Sequence, residues 1–166
     1  MIAPFSLSDV LTVVLAAICF RTIASQSSGG VVKLWRLAVP PFLAAAVALV
    51  LLAGVFDATP AHDGEWLAAL IVGGIIGRAR GWLMPVEADR MWSLVRLPRS
   101  IDGLLAGFAL VALALTDALG AAMDEPVIEP QYIAAGAALC AGYLGFRALA
   151  MTVRAERAPH VGLRDA

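Results

Sequence analysis

Charged side chains are scarce in this chain. Of its 166 residues, 15% are Asp, Glu, Lys or Arg and 61% are apolar, and the mean hydropathy is +0.85. A soluble domain carries about 25% charged and about 45–50% apolar residues. A chain this poor in charge cannot hide its apolar side chains in one soluble core, and it is far too greasy for a disordered segment. Cysteine is nearly missing as well. Cys19 and Cys140 are the only two, which excludes a disulfide scaffold, and neither stands in a CxxC pair. They read as two small buried hydrophobes, with a transient Cys19–Cys140 pair as the alternative. Fifteen glycines and nine prolines are too few for collagen. A net charge of −1 gives no basic excess for nucleic acid.

Chemical motifs are absent too. No Gly-rich phosphate loop, HExxH or GxSxG occurs. The two histidines, His62 and His160, stand outside the apolar runs, so they are not a pair of intramembrane haem ligands. No His, Cys or carboxylate group has metal-ligand spacing. His62 with Asp57, Asp63 and Glu65 reads as solvated loop residues rather than a surface metal site. The sequence therefore points to no catalytic residue, no metal and no cofactor, and the chain reads as no enzyme.

What the chain has is apolar length. A membrane helix needs about 20 mostly apolar residues, and five runs qualify: 7–24, 37–56, 66–84, 101–123 and 132–151. The connections are short, so residues 1–166 read as a single transmembrane domain with a tail over 152–166. The expected fold is an all-α bundle of five membrane helices. Pro40 and Pro41 suit the first turn of the second helix. Ser25–Gly30 reads as a flexible turn, and Ala158–Ala166 as a frayed end. No Lys or Arg precedes the first run, and Arg21 follows most of it. A cleaved signal has the opposite order, so this run reads as a retained anchor.

The basic residues alternate between connections. Arg21, Lys33 and Arg36 lie in or beside the first. Arg78, Arg80, Arg90, Arg96 and Arg99 flank the third, and Arg147, Arg154, Arg157 and Arg164 lie at the C-terminal end. The second connection carries Asp57, Asp63 and Glu65, and the fourth Asp124, Glu125 and Glu129, with no basic residue in either. Lys and Arg favour the cytoplasmic side. The chain is therefore expected with its N-terminus outside and its C-terminus in the cytoplasm of a bacterial inner membrane.

Small residues mark where the helices meet, because apolar helices in lipid associate by close packing. Gly73, Gly77 and Gly81 form a GxxxGxxxG, Gly103 and Gly107 a GxxxG, and Gly142 stands with Gly136, Ala138 and Gly145 in the fifth run. These stripes serve packing within one chain or a homodimer face.

Ionisable residues at membrane depth are costly and point to function. Counting from Trp66 at 1.5 Å per residue puts Arg78 about 18 Å into a core of about 30 Å. Arg80 lies roughly 200° around the helix from it, so one of the two turns inward or into a cleft. Arg21, Arg78, Arg80, Arg147, Glu87 and Asp102 are all placed near the cytoplasmic side. They read either as snorkelling anchors and helix-end ion pairs or as a pocket for an anion or lipid headgroup. Asp117 lies toward the outer end of the fourth run, either as a proton or cation site or as an interface or capping residue. Asp9 reads the same way. Around Trp92–Leu97 the alternation suggests a short hairpin or extended stretch on the membrane surface.

One family resemblance follows from the order of these features. Arg21 is followed by a polar basic turn and Arg36-Leu37-Ala38-Val39-Pro40-Pro41-Phe42. Glu65 precedes the Gly-containing third run, a polar loop holds Asp89, and the fifth run ends in Gly145-Phe146-Arg147-Ala148-Leu149-Ala150-Met151. Over about Ile18–Val153 the chain resembles the CcdC-like family of small bacterial membrane proteins, with Arg78 and Arg80 as departures from a more apolar third span. The resemblance implies a multi-span inner-membrane protein with a name tied to cytochrome c biogenesis and no established catalytic residues. Arg21, Pro40, Pro41 and Arg147 carry over as structural or cleft residues. The leading expectation is a non-enzymatic accessory or assembly subunit acting through helix packing and membrane lipids, with another membrane protein or a second copy as partner. A small carrier or binding protein with an anion or lipid site at the arginines is the alternative, and a redox-linked maturation factor the third.

Overall fold

Ser6 starts the first helix. Its hydroxyl accepts from the Asp9 backbone N–H, and the Asp9 carboxylate accepts from the Ser6 N–H at 3.0 Å, a reciprocal cap. The computed structural model of the protein describes residues 6–55, 60–89, 91–123 and 126–162. Within them α1 spans Leu7–Ser27, β1 Gly30–Lys33, α2 Val39–Ala53, α3 Pro60–Leu83, β2 Glu87–Asp89, β3 Leu94–Leu97, α4 Asp102–Met123 and α5 Pro130–Arg157, with one 3-10 turn at Leu34–Leu37 before α2. Pro40 stands in the first turn of α2, and Pro130 opens α5, where the missing N–H costs no helical bond. Of the residues discussed above, Phe56, Asp57, Arg90, Asp124, Glu125 and Arg164 lie outside the described residues.

Five helical segments are long and apolar enough to cross a membrane, the second being Leu34–Ala53 with its 3-10 turn. Each helix also turns large apolar side chains outward, among them Val14, Phe42, Ile75, Leu105 and Leu149. A soluble bundle buries such groups, so this outward face suits lipid.

The spans differ from expectation at their ends. α1 continues to Ser27, so Ser25–Ser27 are helical, not part of a flexible turn. α3 begins at Pro60 rather than 66. α5 runs to Arg157, which makes the first residues of the expected tail 152–166 helical. His160 then forms a bridge with Ala88 and lies 3.7 Å from Asp89, so the chain is tied down at a point read as frayed.

α5 is the hub. It packs against α2, α3 and α4, and α1 closes the far side against α2 and α4, while α3 leans almost wholly on α5. The buried positions of α5 are mostly Ala and Gly, including Ala134, Ala137, Ala141 and Gly142. Small side chains let three helices approach one axis. The glycine stripes are used inside the chain. A Cβ on Gly73 would meet the Leu139 backbone, one on Gly77 the Tyr143 backbone and one on Gly81 Arg147 and Ala150, so α3 lies parallel to α5. A Cβ on Gly142 would meet the Leu70 carbonyl from the other side, and Gly107 and Gly103 sit against Phe20 and Ile23 of α1.

Three strands cap one end of the bundle. β3 lies between β1 and β2, antiparallel to both, with Val32 opposite Val95 and Ala88 also opposite Val95. The β2–β3 pair is the hairpin expected around Trp92–Leu97. β1 was not foreseen: it comes from the first connection and adds a small sheet to the helical bundle. Gly29 turns α1 into β1 with φ +76, and a Cβ there would press on Arg99. Val95, Leu97 and Ala88 pack with Met84, Met151 and Ala155 in a second small core. The ends of α1, α3 and α5 and the starts of α2 and α4 therefore share this sheet end.

Candidate functional site

Arg80 of α3 and Tyr143 and Arg147 of α5 converge on Asp102, the first residue of α4. Asp102 Oδ2 accepts from the Tyr143 hydroxyl at 2.7 Å and from Arg80 Nε at 3.2 Å. Arg147 Nε approaches the same oxygen at 3.4 Å. That nitrogen is buried without a hydrogen-bond partner, so the approach is a charge contact, not an aligned bond. Ser100 Oγ donates to Asp102 Oδ1 and accepts from Arg147 Nη2 at 3.0 Å, and the same Nη2 lies 3.4 Å from Met84 Sδ. The lack of a side chain at Gly103 makes room for the guanidinium, because a Cβ there would stand 2.9 Å from Arg147 Nη1.

Burial grades the three charges. The side chains of Arg147 and Asp102 are 15% and 20% exposed, and that of Arg80 is 50% exposed. Beside Arg147 lies a cavity of about 30 Å3, enclosed by Ile23, Pro40, Ser100 and Met151 among others. About 10–15 Å3 suffices for one water, so it has room for two. Arg154 closes the neighbouring helix: its Nη1 donates to the Gly81 and Trp82 carbonyls in the last turn of α3 and to the Met84 carbonyl just past its end.

The six-residue cluster expected from sequence is thus divided. Asp102, Arg80 and Arg147 come together. Glu87 is instead paired with Arg96 across the sheet at 3.1 Å. Arg21 is exposed on α1, and Arg78 lines a separate recess with Arg157 and Trp82. The reason is the 200° between Arg78 and Arg80: the face that brings Arg80 to α4 turns Arg78 away from it. Tyr143, Ser100 and Arg154 were missed. Tyr143 had a signal, since it stands four residues before Arg147 and so on the same face of α5.

At the other end of the bundle, Asp117 lines a recess of about 320 Å3 with Thr116, Ile128 and Pro130. Asp9 caps its own helix. Cys19 is fully buried and its Sγ donates to the Pro40 carbonyl at 3.4 Å, and Cys140 is also buried and free. Among the described residues no three His, Cys, Asp or Glu side chains gather as metal ligands.

A larger concavity faces sideways. Between α2 and α5 runs a groove of about 430 Å3, floored by Ala141, Gly142, Gly145 and Ala148 and walled by Phe42 and Phe146. It is almost entirely apolar and opens on the flank of the bundle. No family model matches the chain, and no curated protein or solved structure matches it.

Proposed function

We propose that the protein is a non-enzymatic, multi-pass subunit of a bacterial inner membrane that works through its lateral surfaces as an accessory or assembly component. The observation that supports this reading is the Asp102 junction. Arg80, Arg147, Ser100 and Tyr143 all meet the Asp102 carboxylate and join α3, α4 and α5, which is the work of a structural fastener. The apolar groove between α2 and α5 opens toward the flank, where lipid or another membrane helix lies. Lys33, Arg36, Arg80, Arg96, Arg99, Arg154 and Arg157 all belong to the sheet end, and by the preference of Lys and Arg that end faces the cytoplasm. The likeness of motif order to the CcdC-like family supports the same placement.

The test is gentle extraction from native membranes through a C-terminal tag, followed by native mass spectrometry. A stoichiometric protein partner bears the reading out. A chain that emerges alone, with a fixed lipid or anion, replaces it with a binding or carrier role.

A further inference from the structure

Arg78 and Arg157 form a second basic place, apart from the Asp102 junction. They line a recess of about 310 Å3 between α3 and α5, together with Trp82, Phe146 and Leu149. Both arginines are exposed, and among the described residues neither belongs to an ion pair. Phe146 and Leu149 also line the apolar groove between α2 and α5, so the two recesses are the two sides of one ridge. The groove follows α5 from Ala141 to Thr152, about 16 Å of helix at 1.5 Å per residue. The basic recess follows it from Phe146 to Arg157 and is displaced toward the sheet end.

We propose that groove and recess together bind one anionic phospholipid, its phosphate at Arg78 and Arg157 and an acyl chain in the groove across the Phe146–Leu149 ridge. Each half of the site asks for one half of that molecule. A guanidinium without a counter-ion at the edge of hydrocarbon is costly, and its forked N–H groups match phosphate oxygens. The groove offers no polar partner and suits a chain. Arg157 lies beyond the groove toward the sheet end, while Arg78 stands level with the stretch from Tyr143 to Arg147 and lines the same recess. Trp82 stands beside the arginines, at the level where indoles favour the interface. A partner helix would fill the groove but bring no phosphate, and a free phosphate would leave the groove unused. The inference goes beyond the accessory-subunit reading and holds with or without a protein partner.

The experiment uses Trp82 as reporter in the full chain carrying Trp35→Phe, Trp66→Phe and Trp92→Phe. The protein is placed in phosphatidylcholine nanodiscs that hold a minor share of phosphatidylglycerol. Either lipid is brominated on its chains, at equal mole fraction. Phosphatidylglycerol is expected to quench Trp82 more strongly than phosphatidylcholine. Each of Arg78→Gln and Arg157→Gln should lower that preference about fivefold. Gly145→Leu should lower it with both charges intact, because a Cβ on Gly145 meets nothing within 4 Å and the new side chain projects into the groove. Thermal unfolding of each variant verifies the fold, and phosphatidylglycerol counted by native mass spectrometry on the unmutated chain gives a reading independent of variants. Equal quenching by the two lipids overturns the proposal. So does a preference that survives the double arginine variant or Gly145→Leu. Excess inorganic phosphate should leave the preference in place, and its loss would make phosphate alone the ligand.

Discussion

Gly77 lies against the backbone of Tyr143, so closely that a Cβ at Gly77 would occupy the space of the Tyr143 carbonyl oxygen. The contact recurs one turn earlier between Gly73 and Leu139, and α3 has little else to lean on. Backbone cannot retreat as a flexible side chain does. Gly77→Val is therefore expected to cost at least about 1–3 kcal/mol through overpacking and to lower the unfolding temperature in detergent. Gly145→Ala, with open space before it, should be neutral or stabilise by up to about 1 kcal/mol. Equal effects at the two sites would mean that α3 does not lie on α5 in this register.

Asp102 serves two arginines of unequal burial, and substitutions should separate them. Asp102→Ala leaves Arg147, with its 15% exposed side chain, without its counter-ion, and a loss of about 3 kcal/mol is expected. Arg80 is half exposed, so Arg80→Gln should cost under about 1 kcal/mol. Tyr143→Phe removes one hydrogen bond to the carboxylate, worth about 1.5–3 kcal/mol. Chemical unfolding of the three variants in one detergent gives the ranking, and an Arg80 effect as large as that of Asp102 would refute it.

The cysteines test the redox reading. Cys19 and Cys140 are both buried, and a buried thiol in apolar surroundings is inert. A water-soluble maleimide should label neither in the folded protein and both after unfolding, as counted by intact mass. Cys19→Ser with Cys140→Ser should leave the membrane phenotype unchanged. Loss of phenotype in a stably folded double variant would restore a thiol role.

Ser93 holds φ 51 at the turn into β3, a region that costs a side-chain-bearing residue roughly 1 kcal/mol. Its carbonyl accepts from the Leu34 N–H at 2.9 Å, which fixes the turn in place. Ser93→Gly should relieve the strain and raise stability by about 1 kcal/mol or less, measured as a shift in the unfolding midpoint. A fall instead would show that the added freedom of the unfolded glycine outweighs the strain.

Local pattern made the helices legible. Runs of apolar residues marked all five, and Pro40 marked the first turn of α2 because proline geometry acts over three or four residues, whereas the Ser6 cap and Pro130 at the start of α5 were not read. The glycine spacings marked a packing face but not the surface it met. That choice depends on Leu139, Tyr143 and Arg147 presenting their backbones at the same interval on another helix. The site was half legible for the same reason. Depth alone put Glu87 and Arg78 with Asp102, but angle around the helix and strand pairing decide who meets, and they sent Glu87 to Arg96 and Arg78 to the outer recess. Val31 and Val32 looked like part of a connection. Their role as an edge strand becomes visible only when β3 is beside them.

That edge strand sets an order of events during synthesis. Gly30 to Lys33 leave the ribosome early, yet their partners, Leu94 to Leu97, follow only after α2 and α3 have been made. The first connection therefore waits, unpaired, while two more helices are made. When β3 arrives it locks the first and third connections together, and the Ala88–His160 bridge then fastens the chain beyond α5 to the same sheet. The sheet acts as a late latch on the assembled helices. A ribosome-stalled chain that ends before Leu94 should leave residues 30–33 open to protease, and one that has cleared β3 should not.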